Sequence, residues 1–197
     1  MTLDARKRAL RRELSERRRA TAPERWLEAG RLVAASVVAL PECRRAGRVA
    51  LYAALPDELP TRPLFDLLRQ AGRPVLLPRI VGERLEFAPI ERWEELRPGR
   101  YGVPEPPAGC AAIGLEAGDL VVLPGVAFDA AGHRLGRGGG IYDRTFARGT
   151  PVGPVLCGVA LELQVVDEVP QGPGDRAVDL VVTERTVRRM GEARRGA

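Results

Sequence analysis

Residues 119–144 read DLVVLPGVAFDAAGHRLGRGGGIYDR. The stretch opens as a compact apolar run of strand length, DLVVLPG, stopped by Pro124 and Gly125. It ends on residues 141–148, which suit a helix. Between the two lie four glycines in the five positions 136–140, interrupted only by Arg137, a composition poor for helix or strand. Strand, loop, helix is the repeating unit of an open α/β sheet, and such sheets bind ligands outside the carboxyl ends of their strands. The glycines therefore fall where a ligand is expected. Glycine permits turns that aim several N–H groups at one oxyanion, and a following helix adds its N-terminal dipole. Arg134 and Arg137 can donate bidentate hydrogen bonds to phosphate, and Asp143 can hold Mg²⁺ directly or through water. The alternative is a surface loop with solvated arginines. Two standard phosphate motifs do not fit: a Walker loop requires a lysine that is absent here, and a Rossmann fingerprint requires glycine where Ile141 stands.

Outward from this stretch the same alternation continues. RVALYAAL (48–55), PVLLPRI (74–80), VLCGVAL (155–161) and VDLVVTE (178–184) are short apolar strands, and LEFAPI (85–90) alternates as an edge strand does. Thr21 and Glu24 have capping-box spacing around Pro23, opening a helix through Trp26, Leu27, Val33 and Val37 that Pro41 ends. Thr61 caps a further helix through Leu64, Phe65, Leu67 and Leu68, closed by Gly72. Residues 91–118, rich in proline and glycine, read as an irregular excursion. No internal repeat, low-complexity tract or linker interrupts the pattern. It predicts an α/β fold: one three-layer α/β/α domain over residues 1–197 with a mainly parallel central sheet.

The charge is uneven. The net charge is +5, and the first 20 residues account for all of it, with eight basic and three acidic side chains. Residues 3–19 read as a helix packed on the domain through a thin stripe of Leu3, Leu10 and Leu14, with a strongly cationic surface. Such a helix could neutralise nucleic-acid phosphates, but Glu13 and Glu16 interrupt it and no aromatic residues interleave the basic ones. Nucleic acid is therefore not the expected partner. The longest apolar run, residues 32–40, is too short to span a bilayer. Asp4, Glu13 and Glu16, with no apolar signal core, argue against a targeting segment, which points to the cytoplasm. Cys43, Cys110 and Cys157 lack CxxC spacing and read as buried reduced thiols. The chain has no asparagine, two serines (Ser15 and Ser36) and one histidine (His133), which starves it of the parts for a Ser-His-Asp hydrolase or a histidine-based zinc site.

The long stretch resembles the signature of the 5-formyltetrahydrofolate cyclo-ligase (5,10-methenyltetrahydrofolate synthetase) family: P-G-x-x-F-D, then G-x-R-L-G-x-G-x-G-x-Y-D, running here from Pro124 to Asp143. Four shorter features fall in the family's order: Lys7 and Arg11 one helical turn apart, YAALPDE ending in Glu58, YGVPEP from Tyr101, and Val178-Asp179. The resemblance implies an enzyme that uses ATP and Mg²⁺ to close 5-formyltetrahydrofolate to 5,10-methenyltetrahydrofolate through a phosphorylated imidate. It implies an ATP cradle of Arg134, Leu135, Gly136, Arg137, Gly138, Gly139, Gly140, Ile141 and Tyr142, reached from the first helix by Lys7 and Arg11. It places the folate against Glu58, Tyr101, Arg137, Gly138, Gly139, Gly140 and Ile141. Asp143 and Asp179 are its implied Mg²⁺ ligands, and Arg137 and Asp143 its catalytic pair. Small-molecule substrates acting on a monomer, with no membrane and no nucleic acid, complete the expectation. The chain departs from the family at Ile141, where many members carry a tyrosine, and at Gly139, where some carry lysine. A relative with the same nucleotide site and another substrate is the alternative.

Overall fold

The computed structural model describes residues 1–146 and 153–190. The short apolar runs and the alternating edge segment, joined by a last strand not expected from the sequence (β7), pair into one seven-stranded sheet: β1 (Val49–Ala50), β2 (Val75–Val81), β3 (Arg84–Pro89), β4 (Leu120–Pro124), β5 (Val155–Val159), β6 (Leu180–Val182) and β7 (Val187–Arg189). Their order across the sheet is β7-β6-β5-β4-β1-β2-β3. The five inner strands are parallel, with Val49 opposite Val75 on one side and Leu120 on the other. The two edges, β3 and β7, are antiparallel. Inner strands buried on both faces must be apolar throughout, which is why their sequences are continuous runs, whereas β3 alternates.

Side chains alternate between the two faces with the strand period of two. Val49, Leu51, Leu77, Val122, Val159 and Val182 face a layer of three helices, α2 (Pro23–Ala39), α3 (Pro41–Arg45) and α4 (Arg62–Gln70), through Trp26, Val33, Val37, Leu64, Phe65 and Leu68. Ala50, Leu76, Val121, Leu123, Leu156 and Val181 face the other way, against Phe128, Ile113, Leu115, Tyr142 and Phe146. Among the described residues this second layer is one short helix, α5 (Ile141–Thr145), with irregular chain beside it. Residues 147 and 148 of the expected 141–148 helix lie outside the described residues. The first helix, α1 (Leu3–Arg19), buries Leu14 against Val126, Ala127, Leu135 and Val169, at the carboxyl end of β4. No helix among the described residues is long and apolar enough to cross a membrane.

From β1 the chain crosses through α4 to β2 on one side; it later returns to β4 on the other side of β1, and leaves through α5 on the opposite face. The loops after β1 and β4 therefore diverge, opening a crevice between the carboxyl ends of the two strands. This topological switch point positions the site.

Several local expectations are corrected. Thr21 does not cap α2: Ala22 holds the N-cap position without a side-chain bond, and the Thr21 hydroxyl donates to Arg17 O at 3.1 Å. A threonine directly after a helix finds the carbonyl four residues back before it finds the next helix, and Pro23 starts α2 without a cap. Thr61 holds the N-cap position of α4, but its hydroxyl donates to the buried Tyr52 carbonyl, which has left the sheet and needs a donor. Only the first part of 48–55 is strand, because the chain bends away at the crevice after Leu51 N bonds Leu76 O. Cys43 and Cys157 are buried, but Cys110, in the excursion, is only half-buried. Residues 134–135 pair with 127–128 in a small antiparallel ribbon inside what reads as loop.

Candidate active site

The ribbon anchors the glycine loop. Phe128 lies over the sheet against Gly158 and Gly125; a Cβ on either would come within 2.4 and 2.5 Å of its ring, so only glycine lets the ring seat there. The return strand of the ribbon buries Arg134, 6 % exposed. Its guanidinium donates to Asp143 Oδ1 at 2.9 Å and to Pro124 O at 3.3 Å, and lies 5.3 Å from the centroid of the Tyr142 ring. Arg134 thus ties the loop's beginning to its end from behind.

Gly138 and Gly140 then turn the chain with φ of 107° and 64°. Three of the loop's carbonyls are engaged: Gly136 O accepts from Arg11 Nε at 2.8 Å, Gly139 O from Arg144 Nη2 at 2.6 Å and Gly140 O from Arg144 N at 2.9 Å. The N–H groups of Gly138, Gly139 and Gly140 meet no protein acceptor among the described residues. Successive glycine amides left free beside engaged carbonyls suit an anion-binding nest. The expected dipole contributes little, since α5 runs for only five residues before Phe146 caps it.

Three further walls enclose a cleft of about 830 Å³. From α1, Lys7 and Arg11 face the loop, and the Lys7 ammonium pairs with Asp175. From the loop after β1, Glu58 accepts Leu55 N at 3.0 Å and Arg137 Nε at 2.9 Å, while Arg137 also pairs with Asp57. Across the mouth stands Tyr101, 68 % exposed, with the strained φ of 59° and the Arg100 guanidinium 4.8 Å from its ring centroid. Ile141 and Tyr142 line the floor, and Leu135 lies at its edge. Burial and then the Glu58 charge push the Tyr142 phenol upward, against the opposing pull of Arg134, so it stays protonated at neutral pH. Desolvation pulls Arg137 down, but its hydrogen bonds to Asp57 and Glu58 outweigh that and raise it.

Asp179 is not brought to this cleft. It stands at the amino end of β6, exposed, with Oδ2 accepting Leu156 N at 2.8 Å. Asp175, four residues earlier, lines the cleft instead: its Oδ2 accepts from Lys7 and from Gly172 N at 2.6 Å, and the next residue's N–H reaches Asp143 Oδ1 at 3.3 Å. The rule that ligands gather at carboxyl ends of parallel strands favours Asp175, because Asp179 immediately precedes its strand. Among the described residues no three His, Cys, Asp or Glu side chains form a metal group by themselves. Two carboxylates beside an anion nest still suit Mg²⁺, which binds one or two protein carboxylates together with substrate phosphates. Arg18 and Asp57, also unforeseen, join the wall at Arg137.

Comparison with known proteins bears on the family and the fold. The sequence profile described as the 5-formyltetrahydrofolate cyclo-ligase family matches residues 4–184. The 5-formyltetrahydrofolate cyclo-ligase of Escherichia coli K12 is 34% identical over 179 residues, covering 88% of this chain and 98% of that protein. The mouse 5-formyltetrahydrofolate cyclo-ligase is 28% identical over 200 residues, covering 93% and 96%. The NMR structure of Aquifex aeolicus 5,10-methenyltetrahydrofolate synthetase superposes with a TM-score of 0.83 at 31% identity, covering 95% of this chain and 94% of that one.

Proposed function

This chain is an enzyme of the 5-formyltetrahydrofolate cyclo-ligase family, and from that premise we propose that it closes 5-formyltetrahydrofolate to 5,10-methenyltetrahydrofolate at the expense of ATP, with ADP and phosphate released. The observation that carries the reading is the juxtaposition, across one crevice, of a glycine loop and a carboxylate: among the described residues the loop's amides are free and Glu58 accepts only from Leu55 N and Arg137. The loop suits a polyphosphate. The carboxylate suits the amino and ring N–H groups of a pterin.

In the proposed reaction the formyl oxygen attacks the γ-phosphorus and ADP leaves, giving a phosphorylated imidate. N10 then attacks the formyl carbon and loses its proton, and the former formyl oxygen departs with phosphate. Such a sequence needs no protein nucleophile; it needs positioning and neutralisation of charge. The amides of Gly138, Gly139 and Gly140 would hold phosphate oxygens, and Lys7 and Arg11 would balance their charge from α1. Arg137 sits at the junction of the two subsites, where it would neutralise charge developing on the transferred group. Arg134 would act behind the loop, holding Asp143 in place. Asp143 and Asp175 would hold Mg²⁺, which when bound neutralises phosphate charge. Ile141 would offer the folate an apolar contact and Tyr101 would cover it from the mouth. Every group comes from one chain, so the reading requires no second subunit, nucleic acid or membrane, and it suits a cytoplasmic enzyme.

Counting ADP against folate tests the proposal: one ADP per folate consumed is expected. ADP release at an equal rate without folate contradicts it.

A further inference from the structure

The wall beside the glycine loop contains an ion-pair chain, Arg18–Asp57–Arg137–Glu58, of which the reaction above uses only Arg137 and Glu58. Arg18 of α1 is only 2 % exposed. One guanidinium nitrogen donates to the Asp57 carbonyl and lies 3.3 Å from Asp57 Oδ2, and the guanidinium carbon stands 5.9 Å from the centroid of the Trp26 ring. The other carboxylate oxygen of Asp57 pairs with Arg137, whose Nε also donates to Glu58 Oε1 at 2.9 Å. Burial would raise the Asp57 carboxyl, but the Arg137 hydrogen bond and the two guanidinium charges outweigh it and hold the carboxyl below its ordinary value.

The links differ in strength. Removing the carboxylate from Arg18 would strand a buried cation, so that link resists breaking. Arg137 and Asp57 are each 42 % exposed, and water and salt screen such a pair. Arg137 is therefore the partner that can leave, while Asp57 stays with Arg18. As long as Arg137 stays, it occupies one oxygen of Glu58. When Arg137 leaves, the largely buried Glu58 carboxylate keeps, among the described residues, only the Leu55 amide and is short of donors.

We propose that Asp57, braced by Arg18, is a positioning residue that clamps Arg137 against Glu58 in the unliganded chain, so that nucleotide and folate bind cooperatively by releasing the same clamp. The proposal rests on the reading of the glycine loop as the nucleotide site and Glu58 as the pterin acceptor. A phosphate that draws Arg137 away leaves Glu58 hungry for the pterin's N–H donors; a pterin that takes Glu58 frees Arg137 for phosphate. Each ligand thus selects the open arrangement, and the coupling is reciprocal.

The test is calorimetric titration of the full chain with a Mg²⁺-bound non-hydrolysable ATP analogue and with 5-formyltetrahydrofolate, each alone and with the other saturating. Each ligand is expected to tighten the other about fivefold. Asp57→Asn should bind the analogue alone about threefold more tightly, with the coupling reduced toward unity. Glu58→Gln should lose folate affinity yet gain analogue affinity, an opposition of sign that general damage to the fold does not produce. Independent binding in the parent, with analogue affinity unchanged or lowered in both variants, overturns the clamp. Arg137→Ala separates this from the underlying reading. If Arg137→Ala keeps the parent's analogue affinity, the nucleotide assignment fails and the clamp with it. If it loses that affinity while the parent shows no coupling, only the clamp fails.

Discussion

A Cβ at Gly140 would stand 2.7 Å from Arg144 Nη1, on a residue whose φ of 64° disfavours any side chain. Arg144 is the side chain that ties off Gly139 O. Gly140→Ala should therefore cost about 1 kcal/mol of stability and, beyond that, weaken nucleotide binding by turning the loop's amides, as urea unfolding and nucleotide titration would read. The two acids near β6 make a sharper pair. Asp175→Asn should raise the Mg²⁺ concentration needed for half-maximal turnover, whereas Asp179→Asn should leave it unchanged and cost only its bond to Leu156 N; equal Mg²⁺ requirements would reject the assignment. Sequence alone singled out the glycines and Arg137 because their types suit phosphate, and the fold brings them to one cleft. It named Asp179 and did not raise Asp175, because which of the two reaches the cleft depends on the fold, and it did not foresee that Arg134 pairs with Asp143.

Among the elements, α1 bears most on the site. It delivers Lys7 and Arg11 to the loop, yet its apolar attachment is a small cluster around Leu14, which is fully buried. Leu14→Ala should cost about 2–5 kcal/mol and should lower nucleotide affinity as the helix loosens; thermal melting alongside titration would show both. The cationic helix was legible from its charge and leucine stripe. The ribbon of residues 127–128 and 134–135 was not, since two-residue strands have no periodicity to read. Thr21 misled for a related reason: capping-box spacing says nothing of a carbonyl already available in the preceding helix.

Over the whole molecule the sheet's hydrogen bonding continues from β3 to β7, and α1 closes on it, so the described chain should unfold in one cooperative step. The α/β class was legible because buried parallel strands must be apolar runs; their order, and hence the crevice, was not, because no local pattern encodes which strand lies beside which. At the amino end of β4, Asp119 takes a bidentate pair from Arg48, at 3.0 and 2.7 Å. Burial would raise its carboxyl, but those bonds overcome it and hold it low. A carboxyl depressed by folding stabilises fully above its unfolded value of about 4 and ceases to as pH falls through the lower folded value. Glu42 with Arg189 and Glu162 with Arg188 act in the same direction. Stability should therefore be flat near neutrality and fall below about pH 4. Asp119→Asn should cost about 3 kcal/mol at neutral pH and make the acid limb shallower.

The most direct measurement follows the absorbance of the conjugated methenyl product as purified chain meets 5-formyltetrahydrofolate. The band should grow only when ATP and Mg²⁺ are both present, and should fall away in Arg137→Ala. Folate bound without any methenyl band in the presence of Mg²⁺ and ATP would contradict the assigned reaction and hand the crevice, with its Ile141 floor, to another substrate.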